Sequence, residues 1–247
     1  MDNRTEQLAD GVWRIEVGFA INAYLLANDG QGDAEGLTLV DTGTTTSGPR
    51  LVRSIRMLDL APRAVGDILL SHWHPDHSGS AARFVRSEAA PLVHAGQADL
   101  PAVRGDDPRP QRRAAAGDVS RLGRLLAGRL RPGPAVSGAT GLVDGATLPV
   151  AGGLRVVAAP GHTGGSLAFH LPQRGVLLAG DAALNVLWLS RGPGPIRSAR
   201  RQEAATLRRL ATLDFHILGL GHGPVVAKRA QQRLAALADR AQRRGLG

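Results

Sequence analysis

Ser71-His72-Trp73-His74-Pro75-Asp76-His77-Ser78-Gly79 places three imidazoles and one carboxylate within six residues, directly after the apolar run Val65 to Leu70. The run reads as a buried strand, so the histidine-rich segment occupies the loop at its C-terminal end. His72 and His74, two residues apart, share one side of an extended backbone, while Pro75 stops the strand and turns the chain at Asp76 and His77. Two ligand pairs aimed in two directions imply two metal ions. The spacing suits ligation by imidazole and carboxylate far better than it suits a solvated polar loop.

A hydrolytic site with two metals takes about six or seven protein ligands and leaves room for water, so the loop needs partners from elsewhere in the chain. Three candidates share one grammar. His162 lies in Ala159-Pro160-Gly161-His162-Thr163-Gly164-Gly165-Ser166, after the strand-like Leu154 to Ala158. Asp181 ends Leu177-Leu178-Ala179-Gly180-Asp181, and His222 lies in Ile217-Leu218-Gly219-Leu220-Gly221-His222-Gly223-Pro224. Each closes an apolar run beside glycine, which lets a backbone approach a crowded site.

The series His72-x-His74-x-Asp76-His77, His162, Asp181 and His222 resembles the metallo-β-lactamase-fold superfamily of metal-dependent hydrolases. The resemblance extends to Gly11-Val12-Trp13-Arg14-Ile15, Asn22-Ala23-Tyr24-Leu25 and Leu39-Val40-Asp41-Thr42-Gly43. It implies an α/β (α+β) fold, a four-layer αββα sandwich in which two mixed β-sheets pack face to face with helices outside and the ions at one end. By position it assigns His72, His74 and His162 to one ion, Asp76, His77 and His222 to the other, and Asp181 to both. Asp41 would sit behind the histidine loop as a hydrogen-bond acceptor, against the plainer reading of a turn aspartate bonding its own backbone.

Composition sets limits of its own. The 247 residues, 43% of them hydrophobic, suffice for a sizeable core, and 1–247 reads as a single domain. Zero cysteines exclude disulfides, thiolate ligands and a cysteine nucleophile. The start Met1-Asp2-Asn3-Arg4-Thr5-Glu6 lacks a signal pattern and no apolar stretch reaches the length of a membrane span, so a cytoplasmic protein without membrane contact is expected. The net charge of +9 raises the question of nucleic acid. Lys228 is the only lysine, however, and Pro101 to Arg131 concentrates eight arginines against three aspartates without interleaved aromatics. That is compositional bias more than a stacking surface, and a small-molecule substrate is the expected partner. Oligomeric state is left open.

In chain order, Gly11 to Val17, Ala20 to Ala27 and Leu37 to Val40 read as three strands at one edge of the first sheet, followed by a helix over Leu51 to Leu60. A helix over Ser78 to Ser87 should face Ala81, Ala82 and Val85 inward, and His94 should end a short strand as a packing residue. The stretch 101–134 breaks the alternation and reads as a lid or insertion, with a helix from Asp118 to Arg131 whose Leu122 and Leu126 would line the substrate pocket. Short strands resume at Gly141 to Val143, Ala146 to Val150, Leu154 to Ala158, Ser166 to Leu171 and Gly175 to Ala179. A helix over Ser198 to Leu210, a strand over Phe215 to Leu220 and a closing helix over Ala227 to Arg243 complete the chain, with Gly192-Pro193-Gly194-Pro195 as a loop near the mouth.

Two divalent ions against two carboxylates leave a cationic site able to hold an oxyanion, and water activated there needs no side-chain nucleophile. Zinc is the expected ion, with manganese or iron compatible with the same donors. Asp76 is the candidate to orient the nucleophile and pass its proton on. An aspartate at 181 resembles the glyoxalase II, lactonase and nuclease branches rather than the true β-lactamases. Lactonases of this pattern place a tyrosine over the site; the only tyrosine here is Tyr24, which leaves Asn185 or Trp188 to fill that space. The leading reading is a hydrolase with two metals for a small ester, thioester or lactone. The alternatives are a mononuclear iron oxygenase of the persulfide dioxygenase type and a nuclease or phosphodiesterase.

Overall fold

The structure is a computed structural model that describes residues 4–29, 36–107, 131–191 and 200–243. Seven strands make the first sheet, in the order in which they follow along the chain: β1 (Thr5–Ala9), β2 (Val12–Gly18), β3 (Ile21–Ala27), β4 (Leu37–Val40), β5 (Val65–Leu69), β6 (Leu92–Gly96) and β7 (Thr140–Leu142). The first four pair antiparallel and the last four parallel, so the sheet is mixed. The second sheet runs β12-β11-β10-β9-β8, from β8 (Thr147–Leu148), β9 (Leu154–Ala158), β10 (Leu167–Leu171), β11 (Val176–Leu178) and β12 (Ile217–Gly219). Only β11 and β12 pair parallel there.

Alternation along each strand divides the apolar side chains between two layers. In β3, Tyr24 and Leu26 turn inward to meet Leu154, Val156, Phe169 and Leu178 of the second sheet, while Ala23 and Leu25 turn outward. The outward set packs under α1 (Gly48–Met57), through Leu51 and Ile55, and under Phe84 of α3 (Ala81–Val85). On the far side, Val157, Leu177 and Leu218 pack against α5 (Arg200–Ala211) and α6 (Ala230–Arg243) through Leu207, Leu210, Leu234 and Leu237. Three apolar layers between four structural layers make the expected αββα sandwich. Among the described residues, no helix is long and apolar enough to cross a membrane.

Several boundaries differ from expectation for physical reasons. β1 adds a fourth strand at the edge; Thr5-Glu6-Gln7-Leu8-Ala9 has no apolar alternation and is held by its backbone ladder to β2. Helix α1 begins at Gly48 instead of Leu51 because Pro49 fits the first turn. The helix read over Ser78 to Ser87 is split into α2 (Pro75–Ser78) and α3. Between them, Ser80 Oγ accepts the Gly48 N–H at 2.9 Å and donates to Thr44 O at 2.6 Å, tying this backbone to the β4–α1 loop in place of a continuous helix. Phe84, not Val85, is then the buried residue of that turn. The segment 101–134 opens with α4 (Leu100–Arg104), whose Leu100, Ala102 and Val103 are buried. The expected helix from Asp118, with Leu122 and Leu126, and the loop Gly192 to Pro195 lie outside the described residues. His94 bridges Asp67 and Thr140 on neighbouring strands, and His170 Nε2 meets Asp214 O at 2.8 Å, so both are accounted for by packing.

The ends of β5, β9, β11 and β12 emerge at one edge of the sandwich. A bond from Leu167 N to Ser71 O, 2.7 Å long, fastens the start of β10 to the end of the β5 segment and fixes the two sheets against each other there.

Candidate metal centre

The histidine loop leaves β5 beside the end of β4, and the residue that receives it is Asp41, in the left-handed region at φ 61°. Asp41 Oδ1 accepts the Ser71 N–H at 2.7 Å, and Oδ2 accepts both the Ser71 hydroxyl at 2.7 Å and His77 Nδ1 at 2.9 Å. Ser71 Oγ lies 3.0 Å from His72 Nδ1. Because the serine proton is committed to Asp41, that oxygen accepts from His72, which puts the proton on Nδ1 and leaves the Nε2 lone pair aimed at the centre. One buried carboxylate thus sets the tautomer of His77 directly and of His72 through Ser71. Trp73, between the two ligand candidates, is buried in the outer core with its ring edge-on to His74 at 4.5 Å.

His74 Nδ1 lies 3.0 Å from His72 Nε2 and 2.9 Å from His162 Nε2. Three ring nitrogens converging on one point cannot all be satisfied by hydrogen bonds among themselves, since each neutral imidazole offers one proton. Burial drives their basicity down, helped by the crowding of like rings: His72 falls well below its ordinary value, His74 falls to about 3 and His162 is lowered as well. Neutral imidazoles with inward lone pairs are what a divalent cation requires.

Asp76, His77 and His222 form a second group. His77 Nε2 and His222 Nε2 are 3.2 Å apart, and Asp76 Oδ2 lies 3.3 Å from His222 Nε2 and 3.8 Å from His77 Nε2. Burial opposes protonation of His77, but the charges of Asp181 and Asp41 overcome it and push the ring up to about 9. His222 likewise rises against burial to about 10, through Asp181 and Asp76. Burial also works against the two carboxylates, yet the imidazoles beside them hold both well below the usual range.

Asp181 lies between the two groups. Its Oδ2 is 3.5 Å from His162 Nε2 and 3.4 Å from His222 Nε2, and its Oδ1 is 3.6 Å from His77 Nε2. Oδ1 is buried without a hydrogen-bond partner, a costly state for a carboxylate oxygen that a cation relieves. The approach depends on Gly221, where a Cβ would strike Asp181 Oδ1 and come within 2.6 Å of His77 Cε1. Five imidazoles, two carboxylates and no thiol fit zinc, manganese or iron.

All seven expected ligand residues and Asp41 therefore come together. Asn185 instead braces the His222 loop, with Nδ2 donating to Pro224 O at 2.8 Å and its N–H to His222 O at 3.0 Å. Trp188 stands 68% exposed in a small turn closed by reciprocal backbone bonds between Leu184 and Ser190. Leu122 and Leu126 lie outside the described residues. Other contributors were not anticipated. Asn22 donates to Leu220 O and Gly223 O, and the Tyr24 hydroxyl donates to Leu220 O at 2.7 Å, so Tyr24 supports the His222 loop from below and does not cover the site. Two polar residues on a strand buried on both faces are the signal, since such groups must find partners. Phe19, 91% exposed at the β2–β3 tip, adjoins the same loop, because Gly223 N bonds Ala20 O and Ile21 bridges His222.

A family model described as the metallo-beta-lactamase superfamily matches residues 17–222. A hydroxyacylglutathione hydrolase of Hyphomonas neptunium is 30% identical over 119 residues, 48% of this chain; that match spans only 34% of the relative's length. The Bacillus subtilis protein named probable metallo-hydrolase YflN is 25% identical over 252 residues, 95% of this chain and 92% of its own. Among solved structures, a metallo-beta-lactamase family protein from Thermus thermophilus superimposes with a TM-score of 0.69 at 28% identity, covering 96% of this chain and 81% of that one.

Proposed function

This chain belongs to the metallo-β-lactamase superfamily, and from that premise we propose that it is a metal-dependent hydrolase that holds two divalent ions, zinc foremost, and cleaves a small ester, thioester or lactone. The observation that carries the reading is the position of Asp181, within 3.6 Å of His162 in one group and of His77 and His222 in the other. His72, His74 and His162 would hold one ion, Asp76, His77 and His222 the second, and Asp181 would serve both. Bound there, divalent ions supply Lewis acidity toward a carbonyl oxygen and bring the pKa of water down to roughly 7.

The chain's own residues do the rest. Asp76 has a side chain 36% exposed, more open than those of His77, His162, Asp181 and His222. With its Oδ2 turned to His222 and His77, it orients the attacking water and carries the proton to the leaving group. His72 and His77 are buried to the backbone and close the site from behind. Exposed Phe19, Leu187 and Trp188 beside the His222 loop suit an apolar acyl group better than a phosphodiester. The relative named a hydroxyacylglutathione hydrolase supports the same side of that choice.

The test is metal analysis on protein purified without added metal, followed by assay on matched ester, thioester, lactone and phosphodiester substrates. Two equivalents of zinc or manganese with acyl-bond hydrolysis are expected. One equivalent of iron with oxygen uptake on a persulfide, or a preference for the phosphodiester, would overturn the reading.

A further inference from the structure

We propose that Asp99, which the assigned chemistry does not use, is a positioning residue that sets the distance between the two loops carrying His72, His74 and His162. The proposal rests on the reading of that trio as metal ligands. It stands on an unusual placement. Asp99 occupies the N-cap position of α4, where an aspartate ordinarily bonds the first turn of its own helix, yet it makes no such bond. The side chain turns away from the helix and is 2% exposed.

Its two oxygens reach both ligand loops. Oδ2 accepts the Trp73 N–H at 3.2 Å and the Thr163 hydroxyl at 2.7 Å; Oδ1 accepts the Gly165 N–H at 2.9 Å. Trp73 separates His72 from His74, and Thr163 follows His162 directly. A single oxygen atom is therefore bonded to both pieces of chain that must converge for the three ring nitrogens to meet. The direction of each bond is fixed: Thr163 N donates to Ser166 Oγ at 2.9 Å, the Ser166 hydroxyl donates to Thr163 Oγ1 at 2.8 Å, and the Thr163 proton is left for Asp99.

Close packing makes the tie specific to this carboxylate. A Cβ on Gly165 would come within 2.6 Å of Asp99 Cγ, and one on Gly96 would strike Gly165 O. All three of its partners are neutral donors, and burial raises the Asp99 carboxyl to about 6 against those hydrogen bonds. An amide in its place turns its NH2 either to the Gly165 N–H or to the Trp73 N–H and the Thr163 hydroxyl, so Asp99→Asn loses at least one of the three bonds to the ligand loops while keeping the volume.

The effect on function follows from geometry. Groups that orient ligands from outside typically change metal affinity 10- to 100-fold when removed, and a carboxylate spanning two ligand loops acts on the ion that both loops share. Asp76 sits further along the same loop, in the turn of α2, and His222 follows β12; neither is bonded to Asp99, so both should respond less.

Asp99→Asn, Thr163→Val and Thr163→Ser would be made in the full chain. Chelator competition would measure affinity for each equivalent, the visible spectrum of the cobalt-substituted protein would report ligand geometry, and the metal-free Tm would report the fold. His162→Ala and His222→Ala serve as references that assign the two ions. Asp99→Asn and Thr163→Val are expected to weaken the ion assigned to His162 by about 10-fold or more and to alter its cobalt bands, with the other ion changed less than about threefold. Thr163→Ser, which keeps the hydroxyl, should restore the wild-type values. Equal weakening of both ions, or a lower metal-free Tm with unchanged affinity and spectrum, would reduce Asp99 to a fold-stabilising residue. Should Asp99→Asn fail to fold, Thr163→Val with its serine rescue decides alone. A wild-type protein that binds no ion overturns the metal reading and the clamp with it; two ions in wild type and unaltered values in the variants overturn the clamp only.

Discussion

His72 and His77 sit five positions apart in one loop, both fully buried, with ring centroids 4.2 Å apart, yet their basicity is displaced in opposite directions. Burial works against the charged form in both. The difference is the company each keeps: His72 faces His74 and His162, whereas His77 lies between the carboxylates of Asp41 and Asp181. The centre is thus two unlike halves. One is a neutral trio of imidazoles sealed in the interior; the other is a charged set in which His77 and His222 hold protons against Asp76 and Asp181. Identical residue types give different sites because the charges beside each ring, not the residue type, decide protonation.

The largest expected effect follows from that contrast. Without metal, His77 at about 9 and His222 at about 10 are both protonated at neutral pH. An ion entering their half must displace two protons, so its affinity rises with pH, by about 100-fold per unit below the lower of the two values and about 10-fold per unit between them. His74, lowered to about 3, is already neutral at that pH, so the ion of the imidazole trio should show a nearly flat profile. Chelator competition between about pH 6 and pH 9 checks this. Parallel slopes for the two ions would erase the distinction.

Asp181→Ala breaks the comparison by removing the carboxylate that lies between both halves. One metal equivalent should be lost and turnover should fall by more than about 100-fold, beyond what the loss of an outer hydrogen bond costs. Retention of two equivalents and full turnover would remove Asp181 from the shared position.

A smaller loss is expected at Asp41, which serves both halves from behind. Its φ of 61° makes alanine a poor probe, because alanine would add backbone strain to the lost hydrogen bonds; asparagine tolerates this region. Asp41→Asn should weaken both ions by about 10- to 100-fold, whereas Ser71→Ala, which cuts only the link to His72, should weaken the trio's ion alone. Equal responses of the two ions to Ser71→Ala would show that the relay does not run through the serine.

Much of this arrangement was legible in the chain. His162, Asp181 and His222 each follow an apolar run and a glycine, so their role as partners of the His72 loop could be read from the pattern, while the sandwich and the meeting at its edge came from the resemblance those residues carry. The residues that orient them were less accessible. Asp99 acts across 26 residues to Trp73 and 64 to Thr163, and nothing in the sequence around it marks those partners. β1 has no side-chain alternation to announce it, and the break between α2 and α3 depends on Ser80 meeting Gly48 and Thr44, contacts that only the folded chain creates.

The smallest effect concerns the mouth, which belongs to the charged half alone. Both exposed tips hang on the His222 loop: the hairpin bearing Phe19 through the bond from Gly223 N to Ala20 O, and the turn bearing Leu187 and Trp188 through the bond from Asn185 N to His222 O. On the proposed reading, an acyl group leaving the centre on this side would meet one aromatic from each. A partial aromatic contact contributes about 0.5–1.5 kcal/mol, so Phe19→Ala or Trp188→Ala should raise KM by about 2- to 10-fold, with kcat and metal content unchanged. The dependence on chain length carries the decision: acetyl esters should be indifferent to either substitution, while esters of longer acids should lose affinity progressively. A KM increase independent of chain length would mean that the tips act through the His222 loop, and the apolar mouth would then have no part in choosing the substrate.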